Sequence, residues 1–374
     1  MTDTDQDSEI AAMIGGAIAG FIEARHSPAR VRMLLKDPTG YDRAVWTHMA
    51  EEGWLTARLP EGSGGVGLSL TTTASMVRAF GGALLPEPLI ACAFMPSAIL
   101  ASCGSDALLS DLMSGQHLAT LAWQESIAQT APAPPTTRLE SAQDGYRLNG
   151  RKLNVPHGAT CDILLVSALH GDGATAIVTV QAGAAGITVT PHDHREGGRF
   201  ASLDFVDVEI PGDALLLVGE AADRALDQAI TEGTVLLSAY LAGMSEKILE
   251  IATDYARTRE QFGRVIGSFQ ALQHKLVDLA MRVRLTTATI DHATRALDRD
   301  LPSADAAVAA AKASSAGTAF LVSRKAIQIL GAIGYTQEAD AGLYLTAAIG
   351  LTPWLGGERH QRRRFATLAL TKDD

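Results

Sequence analysis

The sequence predicts an α+β multidomain fold. An N-terminal helical domain is expected over residues 1–116, a middle β-barrel or sandwich domain over 117–215, and a C-terminal helical bundle over 216–374. Three observations predict it. At 374 residues the chain exceeds what one hydrophobic core usually organises. Apolar residues recur at spacings of three and four towards both ends. Between them the pattern changes to short runs rich in Thr, Val and Ile, separated by turn signals.

Composition sets the class. With 47% apolar and 20% charged residues, the chain reads as an ordered globular protein. A formal charge of −11 argues against a nucleic-acid partner, which favours a basic face. The three cysteines, Cys92, Cys103 and Cys161, have neither metal-ligand spacing nor a disulfide framework, so a reducing cytoplasm is expected. The opening Met-Thr-Asp-Thr-Asp-Gln-Asp-Ser-Glu is acidic, unlike a secretory signal or an Arg-rich transit peptide. The apolar run Leu89 to Leu100 contains Pro96 and is too short to span a membrane, so no membrane partner is expected.

In the first segment, Ile10 to Ile22 is small and apolar, and Val31, Leu34 and Leu35 continue one face. Ala44, Val45 and Met49, with Trp46 and Trp54, predict a further helix ending near Gly53. Gly62, Gly64 and Gly67 formally satisfy the dinucleotide-binding G-x-G-x-x-G. That motif needs a preceding strand and an acidic residue about twenty positions on. Here a helix precedes it and position 82 is glycine, so Pro60–Gly67 is read as a loop.

In the middle segment the strand-like runs are Leu118–Gln124, Tyr146–Val155, Ile163–Leu169, Ala174–Val180, Ile187–Thr190 and Ser202–Ile210. Gln143-Asp-Gly145, Asn149-Gly150 and Gly171-Asp-Gly173 punctuate them, the pattern of an all-β sandwich or barrel. Thr130-Ala-Pro-Ala-Pro-Pro-Thr-Thr137 is loop, because its prolines lack backbone donors. His192-Asp-His194 has alternating spacing without a third ligand, so a polar loop is expected and no metal site.

The last segment predicts helices over Ala225–Tyr255, Leu272–Leu297, Asp305–Leu330 and Ala341–Trp354, with one more after that. Between the first two lies Arg259-Glu-Gln-Phe-Gly-Arg-Val-Ile-Gly-Ser-Phe-Gln270, where Gly263 and Gly267 break the helical pattern. Arg259, Phe262, Phe269 and Gln270 are thus presented from an irregular stretch between two rods. A cation, a ring and an amide so held suit an anionic, aromatic ligand.

This string, with Gln328-Ile-Leu-Gly-Ala-Ile-Gly-Tyr-Thr-Gln-Glu338 downstream, resembles the signatures of the acyl-CoA dehydrogenase family. Within it the chain looks most like the divergent small-subunit type of bacterial heteromeric enzymes acting on pimeloyl-CoA or steroid side-chain thioesters. The resemblance implies the three-lobed acyl-CoA dehydrogenase fold, FAD, and α,β-dehydrogenation of an acyl-CoA thioester. It implies that Arg259 reaches the flavin pyrophosphate across a subunit interface, with Phe262 beside it and Gln270 bonding nearby. Gln328, Gly331 and Ala332 would line the adenosine end from the partner chain.

The chain departs from the family pattern in three places. The usual Thr-Glu-Pro-x-x-Gly-Ser run is Trp123-Gln-Glu-Ser-Ile-Ala-Gln129 here, which leaves Trp123 and the Gln124 amide to face the flavin and keeps an acid at Glu125. The usual Trp-x-Thr run is Asn154-Val-Pro-His157, which lacks the covering indole. The usual glutamate base falls on Leu355 of Trp354-Leu-Gly-Gly357, and the family's second base position maps to Gly233. Glu232 is one residue off, roughly 100° round a helix. Glu358 is another nearby carboxylate, and the basic Glu358-Arg-His-Gln-Arg-Arg-Arg364 run reads as a solvated helix face.

Three functions follow. The first is one subunit of a heteromer, heterotetramer by resemblance, whose homologous partner supplies the base. The second is a self-sufficient homo-oligomer using Glu232 or Glu358. The third is a non-catalytic partner that retains the fold. Electron-transferring flavoprotein is the family's usual acceptor.

Overall fold

The structure, a computed structural model, describes residues 3–171, 173–192 and 199–370. His194 of the expected polar loop and Asp172 of an expected turn lie outside the described residues. The chain opens with α1 (Asp3–Arg25), α2 (Pro28–Lys36), α3 (Arg43–Glu51), α4 (Leu70–Ala83), α5 (Met95–Cys103) and α6 (Asp106–Met113). Strands β1 (Ala119–Ala122), β2 (Arg138–Ala142), β3 (Gly145–Pro156), β4 (Ile163–His170), β5 (Thr175–Gln181), β6 (Ile187–Pro191), β7 (Phe200–Ile210) and β8 (Leu215–Val218) follow. The 39-residue α7 (Glu220–Thr258) leads into a small hairpin, β9 (Glu260–Gln261) and β10 (Arg264–Val265). Helices α8 (Gln270–Asp298), α9 (Ala304–Leu330), α10 (Ala341–Leu351) and α11 (Glu358–Leu370) close the chain. The order of helices, sheet and helical bundle is the three-lobed order that the resemblance implies.

Two compact units result. One comprises Asp37–Leu68 and Glu87–Gly233 and holds the sheet. Its strands run in the order β6-β7-β3-β2-β4-β5-β8, with β1 parallel to β4. Strands β2 and β8 were absent from the expected runs: β2 is mostly exposed, and β8 is four residues long, too short to show a period. β4 is buried over Ile163–Ala168 and apolar there except at Ser167, the signature of a strand covered on both faces. In β3 the buried positions Leu148 and Lys152 share one parity, so a lysine takes a core-facing place. Pro60–Gly67 is a loop, turned by left-handed Gly64 and Gly67. It does not follow a strand, so it cannot be a dinucleotide fingerprint.

The other unit comprises Met1–Lys36, Ser69–Pro86 and Thr234–Asp374 and is helical. Ser69 caps α4 by accepting from Thr72 N. Asp298, at the end of α8, adds a carboxylate to the same helix start, accepting from Leu70 N at 2.7 Å and Thr71 N at 3.0 Å. Small residues bring α4 against α7: a Cβ on Gly81 would overlap the carbonyl of Tyr240, and one on Gly243 that of Arg78. Between α8 and α9, Thr286 Oγ1 meets the hydroxyls of Ser314 and Thr318, both at 2.8 Å. Helix α9 is long and apolar enough to cross a membrane, but 67% of its apolar window is buried inside the protein.

Candidate functional site

The segment after β1 is braced by its own side chains. Trp123 is buried, at 6% exposure. The Gln124 amide donates to the carbonyls of Ser126 at 3.1 Å and Gln129 at 2.7 Å, so its N–H groups are spent within the turn. Glu125 is more heavily engaged. Its Oε2 accepts from Thr136 N and Thr136 Oγ1, both at 2.6 Å, and its Oε1 from Thr137 N at 2.9 Å and Lys152 Nζ at 2.6 Å. Lys152, wholly buried, also donates to Ser167 Oγ at 3.1 Å. Partial burial opposes the charge on Glu125, yet the Lys152 ammonium and the threonine donors hold its carboxyl at about 2. Burial pulls the Lys152 ammonium down to about 8 against the attraction of Glu125. The direction that decides the state of the pair is that of Glu125, whose four donors suit only the anion.

Beyond Lys152 the β3–β7 register slips before Val155. Asn154 and His157 are both left-handed there, at φ 50° and 53°. Such conformations are uncommon outside glycine and mark segments held by their surroundings. His157 is buried edge-on to Tyr41 and bonds Thr160 Oγ1 through Nδ1 at 3.2 Å. Burial, helped by the Arg199 charge, depresses its imidazole to about 4.

In the helical unit, the stretch expected to be irregular is a tight hairpin. Phe262 and Gly263 form its two-residue turn with φ of 54° and 77°, the pair of left-handed residues that a type I′ turn requires. A left-handed phenylalanine at a hairpin tip is strained, and it is 90% exposed. Its ring meets Phe269 edge-on at 6.1 Å, and the Arg264 guanidinium lies 4.1 Å from the Phe269 centroid. Arg259 is exposed, with no side-chain hydrogen bond or ion pair among the described residues, and Gln270 is exposed at the start of α8. At the end of α9, Gln328 and Ala332 are exposed, and Gly331 takes φ 68°, ψ −137°, a conformation reserved for glycine.

No carboxylate stands at either family base position. Leu355 is 4% exposed and left-handed at φ 56°, and its carbonyl accepts from the buried Gln361 Nε2 at 2.7 Å. Gly233 lies against Met95, whose Sδ is 2.8 Å from where a Cβ would stand. Glu232 instead accepts from Arg58 Nε at 3.2 Å, Arg58 Nη2 at 3.0 Å and Gln228 Nε2 at 3.1 Å. Glu358 is bound by Arg362 at 2.6 Å and covers Gly317. Sequence reasoning missed Lys152, Arg58 and Gln361. Only Lys152 carried a local signal, its parity with Leu148.

Residues 8–114 match the family described as Acyl-CoA dehydrogenase, N-terminal domain, and residues 223–369 match Acyl-CoA dehydrogenase, C-terminal domain. The chain is 29% identical over 372 residues to Acyl-CoA dehydrogenase FadE27 of Mycobacterium tuberculosis, covering 96% of each. It is similar to a chain of the ChsE4-ChsE5 complex from Mycobacterium tuberculosis, with 27% identity and a TM-score of 0.86 over 96% of this chain and 97% of that one. A Tcur3481-Tcur3483 steroid ACAD variant matches at 25% identity and a TM-score of 0.86, covering 98% and 99%. The chain belongs to the acyl-CoA dehydrogenase family, FAD-dependent oxidoreductases acting on CH–CH bonds of acyl-CoA thioesters.

The residues present fit FAD. An exposed guanidinium without a partner among the described residues suits a pyrophosphate, and the exposed Phe262 ring three residues on is open to an aromatic ligand.

Proposed function

We propose that this chain carries out flavin-dependent α,β-dehydrogenation of an acyl-CoA thioester as one subunit of a heteromer whose homologous partner supplies the catalytic base. One observation carries the reading: Leu355, which cannot accept a proton, stands buried where the family has its carboxylate. The chain's own acids are poor substitutes. Glu232 already accepts three donors and Glu358 is paired with Arg362, whereas a general base needs a lone pair within reach of the substrate proton. The similarity to a chain of the ChsE4-ChsE5 complex supports an assembly of unlike subunits, and that to a steroid ACAD supports a bulky acyl group.

In this reading Arg259, Phe262 and Gln270 hold the flavin pyrophosphate of a shared site, and Gln328, Gly331 and Ala332 line its adenosine end. Trp123 and the turn that follows it stand at the flavin ring. When bound, FAD supplies the hydride acceptor, and the protein supplies position and an environment from which water is excluded. An electron-transferring flavoprotein is the expected acceptor and the cytoplasm the expected location. We assign the three lobes as 1–116, 117–215 and 216–374.

The test is the visible spectrum of the protein purified alone and co-expressed with a homologous subunit, before and after acyl-CoA is added. A flavin band in the co-expressed protein that bleaches with thioester is expected. A colourless complex, inert to acyl-CoA, would discard the reading.

A further inference from the structure

Glu125 has more partners than a surface acid needs, and they belong to separate parts of the sheet unit. Its carboxylate collects Thr136 and Thr137, which lead into β2, and Lys152 of β3. The turn it stands on, Trp123–Gln129, is closed by Gln124 and by Gln129 Oε1, which accepts from Glu125 N at 2.7 Å. Leu153 N donates to Gln124 O at 2.7 Å, so the turn and β3 are joined by backbone as well. Lys152 is the last regularly paired residue before β3 slips register into the Asn154–His157 bulge. One ion pair, its lysine wholly buried, therefore ties the Trp123–Gln129 turn to β3 immediately before the Asn154–His157 segment, and these two segments stand in for the family's flavin-covering runs.

Burying an ion pair is a poor route to stability alone. Its desolvation offsets most of the Coulomb attraction, and an apolar pair of similar volume serves as well or better. What such a pair provides is a fixed geometry between the segments it joins.

Resting on the flavin reading above, we infer that Glu125 and Lys152 are a positioning pair for FAD. They hold the Trp123–Gln129 turn and the Asn154–His157 bulge at one separation, so that the flavin ring meets a pre-formed wall. Neither touches the reacting atoms. A group that only stabilised the fold would affect melting temperature and cofactor affinity together, whereas a positioning pair separates them.

The experiment titrates the co-expressed apoprotein complex with FAD, following flavin fluorescence, and records melting temperatures in parallel. Glu125→Gln and Lys152→Met each leave a buried group without its partner, so both affinity and melting temperature fall. The double variant Glu125→Leu/Lys152→Met removes both charges and is expected to recover part of the melting temperature lost in Lys152→Met, the rest going with the Thr136 and Thr137 N–H groups left without an acceptor. Its Kd for FAD is expected to stay raised by about ten-fold or more. Glu125→Gln keeps the shape and, on its one carbonyl oxygen, the two bonds from Thr136, while its N–H2 replaces the oxygen that accepts from Thr137 N and Lys152 Nζ; it is expected to lose less affinity than the double variant. Wild-type affinity in the double variant, or affinity that simply follows melting temperature, overturns the inference and leaves the flavin reading standing. A wild-type complex that takes up no FAD overturns both.

Discussion

Lys312, wholly buried on α9, donates its Nζ to the carbonyl of Thr352 at 2.8 Å, two residues before the Trp354-Leu355 turn. Burial depresses its pKa from 10.5 to about 7. The unfolded chain therefore keeps this proton up to about 10.5, while the folded chain gives it up near 7. The stability contribution is therefore fully present above 10.5 and is lost as pH falls through 7. Relative to Lys312→Met, the wild type should gain stability as pH rises across that window. Urea midpoints measured along it check this, and a constant offset between the two proteins would refute it.

His157 titrates in the acid range. Its imidazole is held at about 4 by burial and by Arg199, against 6.5 when free. The stability it contributes is present above 6.5 and is lost as pH falls towards 4. His157→Asn tolerates the left-handed backbone and cannot titrate there. The acid side of the stability curve should flatten in this variant, as read by denaturant midpoints.

Close approach of α4 and α7 depends on missing side chains. Gly243→Ala pushes a methyl into the backbone carbonyl of Arg78, which cannot swing aside, and should cost about 3 kcal/mol. Gly342→Ala on α10 meets nothing within 4 Å and should stabilise by about 0.5 kcal/mol. Thermal melts of the two variants are expected to move in opposite directions.

Arg259→Ala removes an exposed guanidinium that bonds no described residue, so the apoprotein should melt as the wild type does. FAD retention through gel filtration should fall by about ten-fold or more, since a charge-assisted phosphate contact is lost. Retention at the wild-type level would remove Arg259 from the flavin site.

Glu232→Gln and Glu358→Gln should both keep turnover within about two-fold in the co-expressed complex, since the proposed function puts the base on the partner subunit. Glu232→Gln weakens the bidentate grip of Arg58, so some thermal stability should go with it. A loss of about a hundred-fold or more in kcat for either variant would instead favour a self-sufficient enzyme.

Periodicity alone disclosed the long helices of the bundle and most of the strands, because apolar stripes and turn residues are local properties. The expected Leu272–Leu297 and Asp305–Leu330 lie within α8 and α9. Two buried lysines were legible in principle: Lys152 shares parity with Leu148, and Lys312 sits four residues from Val308 and from Ala316 on an apolar face. The conformation of Phe262 was not legible, since a phenylalanine next to one glycine has no preference for the left-handed region without strands pairing on either side.

By itself the sequence determined the order of the lobes, the membership of the family and the replacement of a carboxylate by Leu355. Tertiary structure decided which charges are spent. Glu125 finds Lys152 twenty-seven positions away and Arg58 finds Glu232 across 174. Pairing of that kind depends on where folded elements meet, and no window of local residues contains it.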